Sequence, residues 1–196
     1  MELDSDGCFV APVVVLRENV IFPKMITPVF VGQQKNLESL RYGLENEQTV
    51  ITLIPKDPEK EFPVKKSDFY PVGLEIAVGR LVNLPEEHFS TLVQGRRRVI
   101  LMDIVRRSPV LMARVYVSEA EAKKSRHLEA LIRTTRNLFE KCVQLDRKLP
   151  DEAVAYASTI TDPSWLADMI ATTISFENEQ RQEILLNWIR KSDLKS

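Results

Sequence analysis

Glycine is scarce in this chain, with six residues among 196. None of the six stands in a Gly-x-x-x-x-Gly-Lys-Ser/Thr run, so no loop of backbone N–H groups is present to cradle a nucleotide's phosphates. A Gly-x-Ser-x-Gly elbow and a His-Glu-x-x-His helix are missing too, which removes two common hydrolase signatures. Cysteine is limited to Cys8 and Cys142, far apart and without Cys-x-x-Cys spacing. They read as a tail thiol and a small buried side chain. The two histidines, His88 and His127, have no neighbouring ligands, whereas a zinc site takes about four clustered donors. No metal and no cofactor is expected. Long apolar runs are absent as well, so no segment reaches the roughly 18 residues of a membrane-spanning helix. The opening Met1-Glu2-Leu3-Asp4-Ser5-Asp6 is acidic where a secretory signal would be basic, and a cytoplasmic protein is expected. Net charge is −1, too small to draw nucleic acid by its field.

The material for a core is ordinary. Hydrophobic residues make up 44% of the chain, and the length suits one or two compact domains. Runs rich in Val, Ile and aromatic residues predict strands over 10–16, 26–31, 49–54, 72–84, 89–95, 97–106 and 109–117. Residues 72–95 read as a hairpin, with Val72, Leu74, Ile76 and Val78 on one face and Gly73, Glu75, Ala77 and Gly79 on the other. The two glycines suggest bulges or close backbone approach. Leu37, Leu40 and Leu44 predict a helix over 34–46, and the proline-rich, charged 55–70 reads as a surface loop.

The character changes at Val117-Ser118. Ser118 and Glu121 fit a capping box. Beyond them Leu128, Leu131, Ile132, Thr135, Leu138, Phe139, Cys142 and Leu145 recur at threes and fours, one apolar stripe on a long helix. Pro150 suits a helix start, and Asp162-Pro163 is a cap followed by an N1 proline. Ile184, Leu185, Trp188 and Ile189 mark a last helix. Segregated strands and helices make the fold class α+β.

The most informative stretch is 12–32. Two apolar strand-like runs, Val13–Leu16 and Ile26–Val31, flank an irregular crossing that carries Phe22, Pro23 and Met25. Pro23 and Pro28 cannot donate backbone hydrogen bonds and argue for an edge or a bend. Phe22, Pro23, Met25 and Pro28 are the candidate substrate-binding residues, as an apolar loop on a soluble protein is a contact surface. The competing expectation is that Phe22 and Met25 tuck under the sheet as core. Glu86-Glu87 reads as a solvated turn, with no acid–base role. Arg96-Arg97-Arg98 and Arg106-Arg107 read as a charged sheet edge. A phosphate patch fits them less well, because no aromatic cluster accompanies them.

Six blocks, in order, resemble the N-terminal domain of Lon proteases. They are Pro12-Val13 to Gly32; Leu53-Ile54-Pro55-Lys56-Asp57; Tyr70-Pro71-Val72-Gly73 with Ala77-Val78-Gly79-Arg80-Leu81; Leu92-Val93-Gln94-Gly95 to Val99; Asp162-Pro163-Ser164-Trp165-Leu166-Ala167-Asp168-Met169-Ile170-Ala171; and Gln182-Glu183-Ile184-Leu185-Leu186. No block is specific alone; their joint order is. The resemblance implies a β-rich, pseudobarrel-like (PUA-like) lobe with one helix at 1–118, then a helical bundle at 119–196 cut short in its last helix. Full-length members couple an ATPase module to a serine–lysine peptidase, and neither module is in these residues. The chain is therefore expected to be non-catalytic in isolation. The partners implied are unfolded or damaged proteins, the ATPase and protease domains of a parent enzyme, and further copies in a full-length hexamer, with no membrane and no nucleic acid. A stand-alone Lon-like adaptor or ligand-binding domain is the alternative. An RNA-binding module is a third reading, disfavoured by the balanced charge.

Overall fold

The computed structural model describes residues 3–17, 19–61, 63–85, 88–117 and 125–187. In chain order these form β1 (Cys8–Val15), β2 (Ile26–Val31), α1 (Gln34–Glu45), β3 (Val50–Leu53), β4 (Val72–Val78), β5 (Val82–Asn83), β6 (Phe89–Arg106) and β7 (Met112–Val117). Four helices follow, α2 (Arg126–Leu145), α3 (Glu152–Thr159), α4 (Pro163–Thr173) and α5 (Asn178–Asn187). Strands and helices are thus segregated, as α+β requires. No helix among the described residues is long and apolar enough to cross a membrane.

The strands close on themselves. β1 pairs with β3 in parallel, and β3–β4, β4–β6, β6–β7 and β7–β1 pair antiparallel. Closure leaves no free edge along that ring. β2 and β5 are added outside it, both on the first half of β6. The sequence predicts two strands at 89–95 and 97–106, but the chain forms one 18-residue strand. Register shifts between Leu101 and Asp103 and between Ile104 and Arg106 let that single strand bend around the ring. Both faces of the first part of β4 are covered, so Glu75 is buried beside Leu74 and Ile76. Gly73 is needed there, because a Cβ would overlap the Thr52 carbonyl oxygen.

Residues 55–70 are more ordered than a plain loop. Phe69 is fully buried, and a short 3-10 turn at Lys66–Asp68 is held by Asp68, which accepts from the Val64 and Lys65 N–H groups at 3.0 Å and pairs with Lys60 at 2.7 Å.

The helices contribute to two cores. Phe139, Val143, Ala157, Ile160 and Leu166 form one among α2, α3 and α4. Ala171 of α4 and Leu185 of α5 instead join the sheet core with Phe22, Leu40, Leu74 and Ile76. Asp162 caps α4 through its carboxylate, accepting from the Ser164 N–H at 2.8 Å. α2 starts at Arg126 behind Ser125, whose hydroxyl accepts from the Leu128 N–H at 3.1 Å. The Ser118–Glu121 capping box lies outside the described residues, as do Glu86, Glu87, Trp188 and Ile189. The α2 stripe is wider than its contact. Only Phe139 and Val143 are buried, while Leu131, Leu138 and Leu145 are exposed.

Candidate functional site

The apolar centre of the crossing between β1 and β2 is buried, which overturns the reading of an exposed Phe22 and agrees with the competing one that places it in the core. Val20, Ile21 and Phe22 are at most 3% exposed. The reason is long-range: the crossing passes directly over β6, and the helices cover it. At Gly95 a Cβ would overlap the Phe22 carbonyl oxygen, so only glycine lets the two backbones approach. The Lys24 N–H donates to the Gly95 carbonyl at 2.8 Å, and the Gly95 N–H donates to the Met25 carbonyl at 2.9 Å. Phe22-Pro23-Lys24-Met25 is a tight turn, with the Met25 N–H donating to the Phe22 carbonyl at 3.2 Å. Lys24 sits at φ 65, the third-position conformation of a turn that carries proline second. Its ammonium lies 4.2 Å from the Trp165 ring centroid, a cation–π contact with α4. Pro23 and Met25 are half-buried, and Met25 packs against the sheet core. The turn therefore seals the sheet against α4.

A group of exposed apolar residues lies on β2 and its neighbours. Along β2, Thr27, Val29 and Val31 turn inward while Ile26, Pro28 and Phe30 turn out, with Ile26 65% and Phe30 73% exposed. Pro28 stands opposite Leu92, itself 59% exposed, and Phe30 opposite Ser90. Across Ser90 lies exposed Val82 of β5. Paired residues of antiparallel strands share a face, so Ile26, Pro28, Phe30, Leu92 and Val82 make one outward apolar patch. Of the four residues singled out in the sequence, Pro28 alone belongs to it. Period-two alternation in 26–31 could not identify the outer face, because both faces are apolar. In β6 the signal was present: Leu92 shares its face with Gln94 and Arg96, both exposed.

Arg96-Arg97-Arg98 lies where β6 changes partner on one side, from β2, which pairs as far as Gln94, to β7, which pairs from Val99, while β4 runs along the other side. Arg97 donates through Nε to buried Glu75 at 2.6 Å, and Thr49 Oγ1 donates to the same carboxylate at 3.0 Å. Arg98 turns to the helices. It pairs with Asp168 of α4, both buried, and its Nε donates to the Leu185 carbonyl of α5 at 3.1 Å. Burial pushes the Asp168 carboxyl above its ordinary range, opposed by the charge and hydrogen bond of Arg98. Three of the six motif blocks thus meet at one guanidinium. Among the described residues no cluster of His, Cys, Asp and Glu could hold a metal ion.

This ring of strands followed by helices is the architecture of a known class. A Lon protease N-terminal domain from the Mycobacterium avium complex superposes with a TM-score of 0.71 at 18% identity, covering 92% of this chain and 97% of that one. The Lon N-terminal domain protein of Xanthomonas campestris gives 0.59 at 15%, covering 93% and 99%. In sequence, the model of the ATP-dependent protease La (LON) substrate-binding domain matches residues 10–187. The chain belongs to that family. It is 32% identical over 184 residues to Lon protease 2 of Herpetosiphon aurantiacus, and 33% identical over 175 residues to the Lon protease of Xanthomonas oryzae pv. oryzae. Those alignments cover 94% and 89% of this chain but only 22% and 20% of the relatives, so the chain spans about a fifth of their length.

Proposed function

We propose that this chain is the non-catalytic substrate-recognition domain of an ATP-dependent Lon-type protease, and that it engages unfolded or damaged proteins through the outward apolar face of β2, β5 and β6. The observation that carries the reading is the cluster Ile26, Pro28, Phe30, Leu92 and Val82, left exposed in a substrate-binding family. Unfolding is what exposes apolar segments, and a flat apolar face takes them without reading a sequence. Affinity is modest, because a disordered partner loses conformational entropy on binding. Pairing with the ATPase and protease domains of a parent enzyme, a full-length hexamer and a cytoplasmic location belong to the same proposal. So do the pseudobarrel (PUA-like) and bundle descriptions, which the closed ring of strands and the run of helices support.

A stand-alone ligand-binding domain is the second reading, favoured by one feature. A cleft of about 570 Å³ opens between β1, the start of α1 and the β6–β7 turn, with Val13, Val15, Val64 and Leu111 at its apolar wall.

The test is amide chemical-shift mapping with a reduced, unfolded client and its native form. Shifts at 26–31, 82–83 and 89–94 with the unfolded client alone support the proposal. Equal shifts with both forms, or shifts confined to the cleft, refute it.

A further inference from the structure

We infer that the free edge of β2 takes up an extended segment of polypeptide by strand addition, so that clients are held by backbone as well as by apolar side chains. This rests on the apolar-face reading and adds the mode of recognition to it. Among the described strands β2 pairs with β6 alone. Beside its other edge runs a trough of about 450 Å³. Thr27, Pro28, Val29 and Phe30, four consecutive residues, all border it. Side chains alternate across a strand, so four in a row can border one groove only along the strand's edge. The opposite wall is the chain leaving β1, including Arg17 and Asn19. The trough therefore runs along the β2 edge, between that strand and the chain that leaves β1.

Among the described residues the backbone at this edge has no strand partner, and its groups alternate in a regular pattern. The Gly95 N–H bond to the Met25 carbonyl, with Ile26 opposite Gln94, fixes the phase of the β2–β6 ladder. In that phase residues 27, 29 and 31 bond to β6, and residues 26, 28 and 30 turn their backbone groups outward. The edge thus offers the N–H groups and carbonyls of Ile26 and Phe30, together with the Pro28 carbonyl, which carries a long bond from the neighbouring Thr27 hydroxyl at 3.4 Å. Only another backbone in extended form matches such a row. Pro28 removes one donor, which blunts permanent pairing and keeps capture reversible. The side of β1 that faces the trough shows the opposite treatment. There the Asn36 side-chain amide fills the strand position, accepting from the Val15 N–H and donating to the Val15 carbonyl, both at 2.8 Å. One wall is closed by a side chain and the other is left open.

The experiment uses an acetylated, amidated eight-residue peptide that alternates threonine with valine or phenylalanine. Two further peptides carry N-methyl groups on every second residue, one in each phase. In strand addition alternate N–H groups face the β2 edge, so one N-methylated phase loses affinity by about tenfold or more while the other binds like the parent. Parent-peptide shifts should centre on 26–32 and 15–19. Asn19→Trp, a change at an exposed position that fills the trough, should remove peptide binding without altering the melting temperature. If both methylated peptides bind within about twofold of the parent, strand addition is wrong while side-chain capture stands. If the parent peptide fails to bind but an unfolded client still shifts 26–31, strand addition is again wrong. If neither binds, the apolar-face reading falls with it.

Discussion

Single residues divide here into those that hold the crossing down and those left in solvent. Phe22 belongs to the first group. Phe22→Ala should cost about 3–5 kcal/mol of stability, the usual range for emptying a buried aromatic site. Gly95→Ala should also destabilise, by about 1–3 kcal/mol, since the added methyl drives the crossing off β6. Denaturant midpoints measure both, and a Gly95→Ala protein as stable as the parent would contradict the close approach. Asp68 gives a pH test. Its hydrogen bonds to Lys60 and to backbone N–H groups lower its carboxyl from 3.8 to about 2. A depressed carboxylate stabilises the fold above the unfolded value of 3.8 and loses that contribution as pH falls toward about 2. The stability gap between the parent and Asp68→Asn should therefore be constant near neutrality and shrink through that acidic window. A gap that widens on acidification would reverse the assignment. The apolar candidates in the crossing were legible in the sequence as a group. Their burial was not, because it depends on a glycine 73 positions later and on helices later still.

The elements were legible where the period was clean. β1 to β3, α1 and α4 fall where the apolar runs, helical spacing and the Asp162-Pro163 cap place them, while the expected strand at 72–84 divides into β4 and β5. The single β6 was not, because Arg96-Arg97-Arg98 interrupts the apolar pattern and reads as a break. The structure uses those arginines as connectors, with Arg97 on Glu75 and Arg98 on Asp168. A buried pair is costly to break from one side and cheap to replace from both. Arg98→Met alone, which strands Asp168, should cost about 3–5 kcal/mol. The double variant Arg98→Met with Asp168→Leu should recover most of that loss. Urea unfolding of the three proteins tests it, and additive single effects would show that the two residues do not act as a unit. The exposed side of α2 also escaped the sequence reading. Its spacing announces an apolar stripe without saying how much of the stripe the short α3 and α4 can cover.

At the level of the whole molecule, the ring of strands and the helices pack into one frame, and the added strand β2 carries most of the exposed apolar face. The family was legible from six ordered blocks, and the structure gives three of them a shared purpose at Arg98. The proposed binding face was half legible: Pro28 marked the edge, but Ile26, Phe30, Leu92 and Val82 needed the strand pairing to be seen together. The central claim is that this face, and not the crossing, captures unfolded chains. The most direct measurement is the affinity of an unfolded client for Phe30→Ser/Leu92→Ser beside the parent, with the melting temperature of both. Exposed substitutions of this kind shift stability by only about 0.5 kcal/mol. The account predicts an unchanged melting temperature and capture weakened by about tenfold or more, roughly 1.4 kcal/mol. Undiminished capture by the double variant would contradict it.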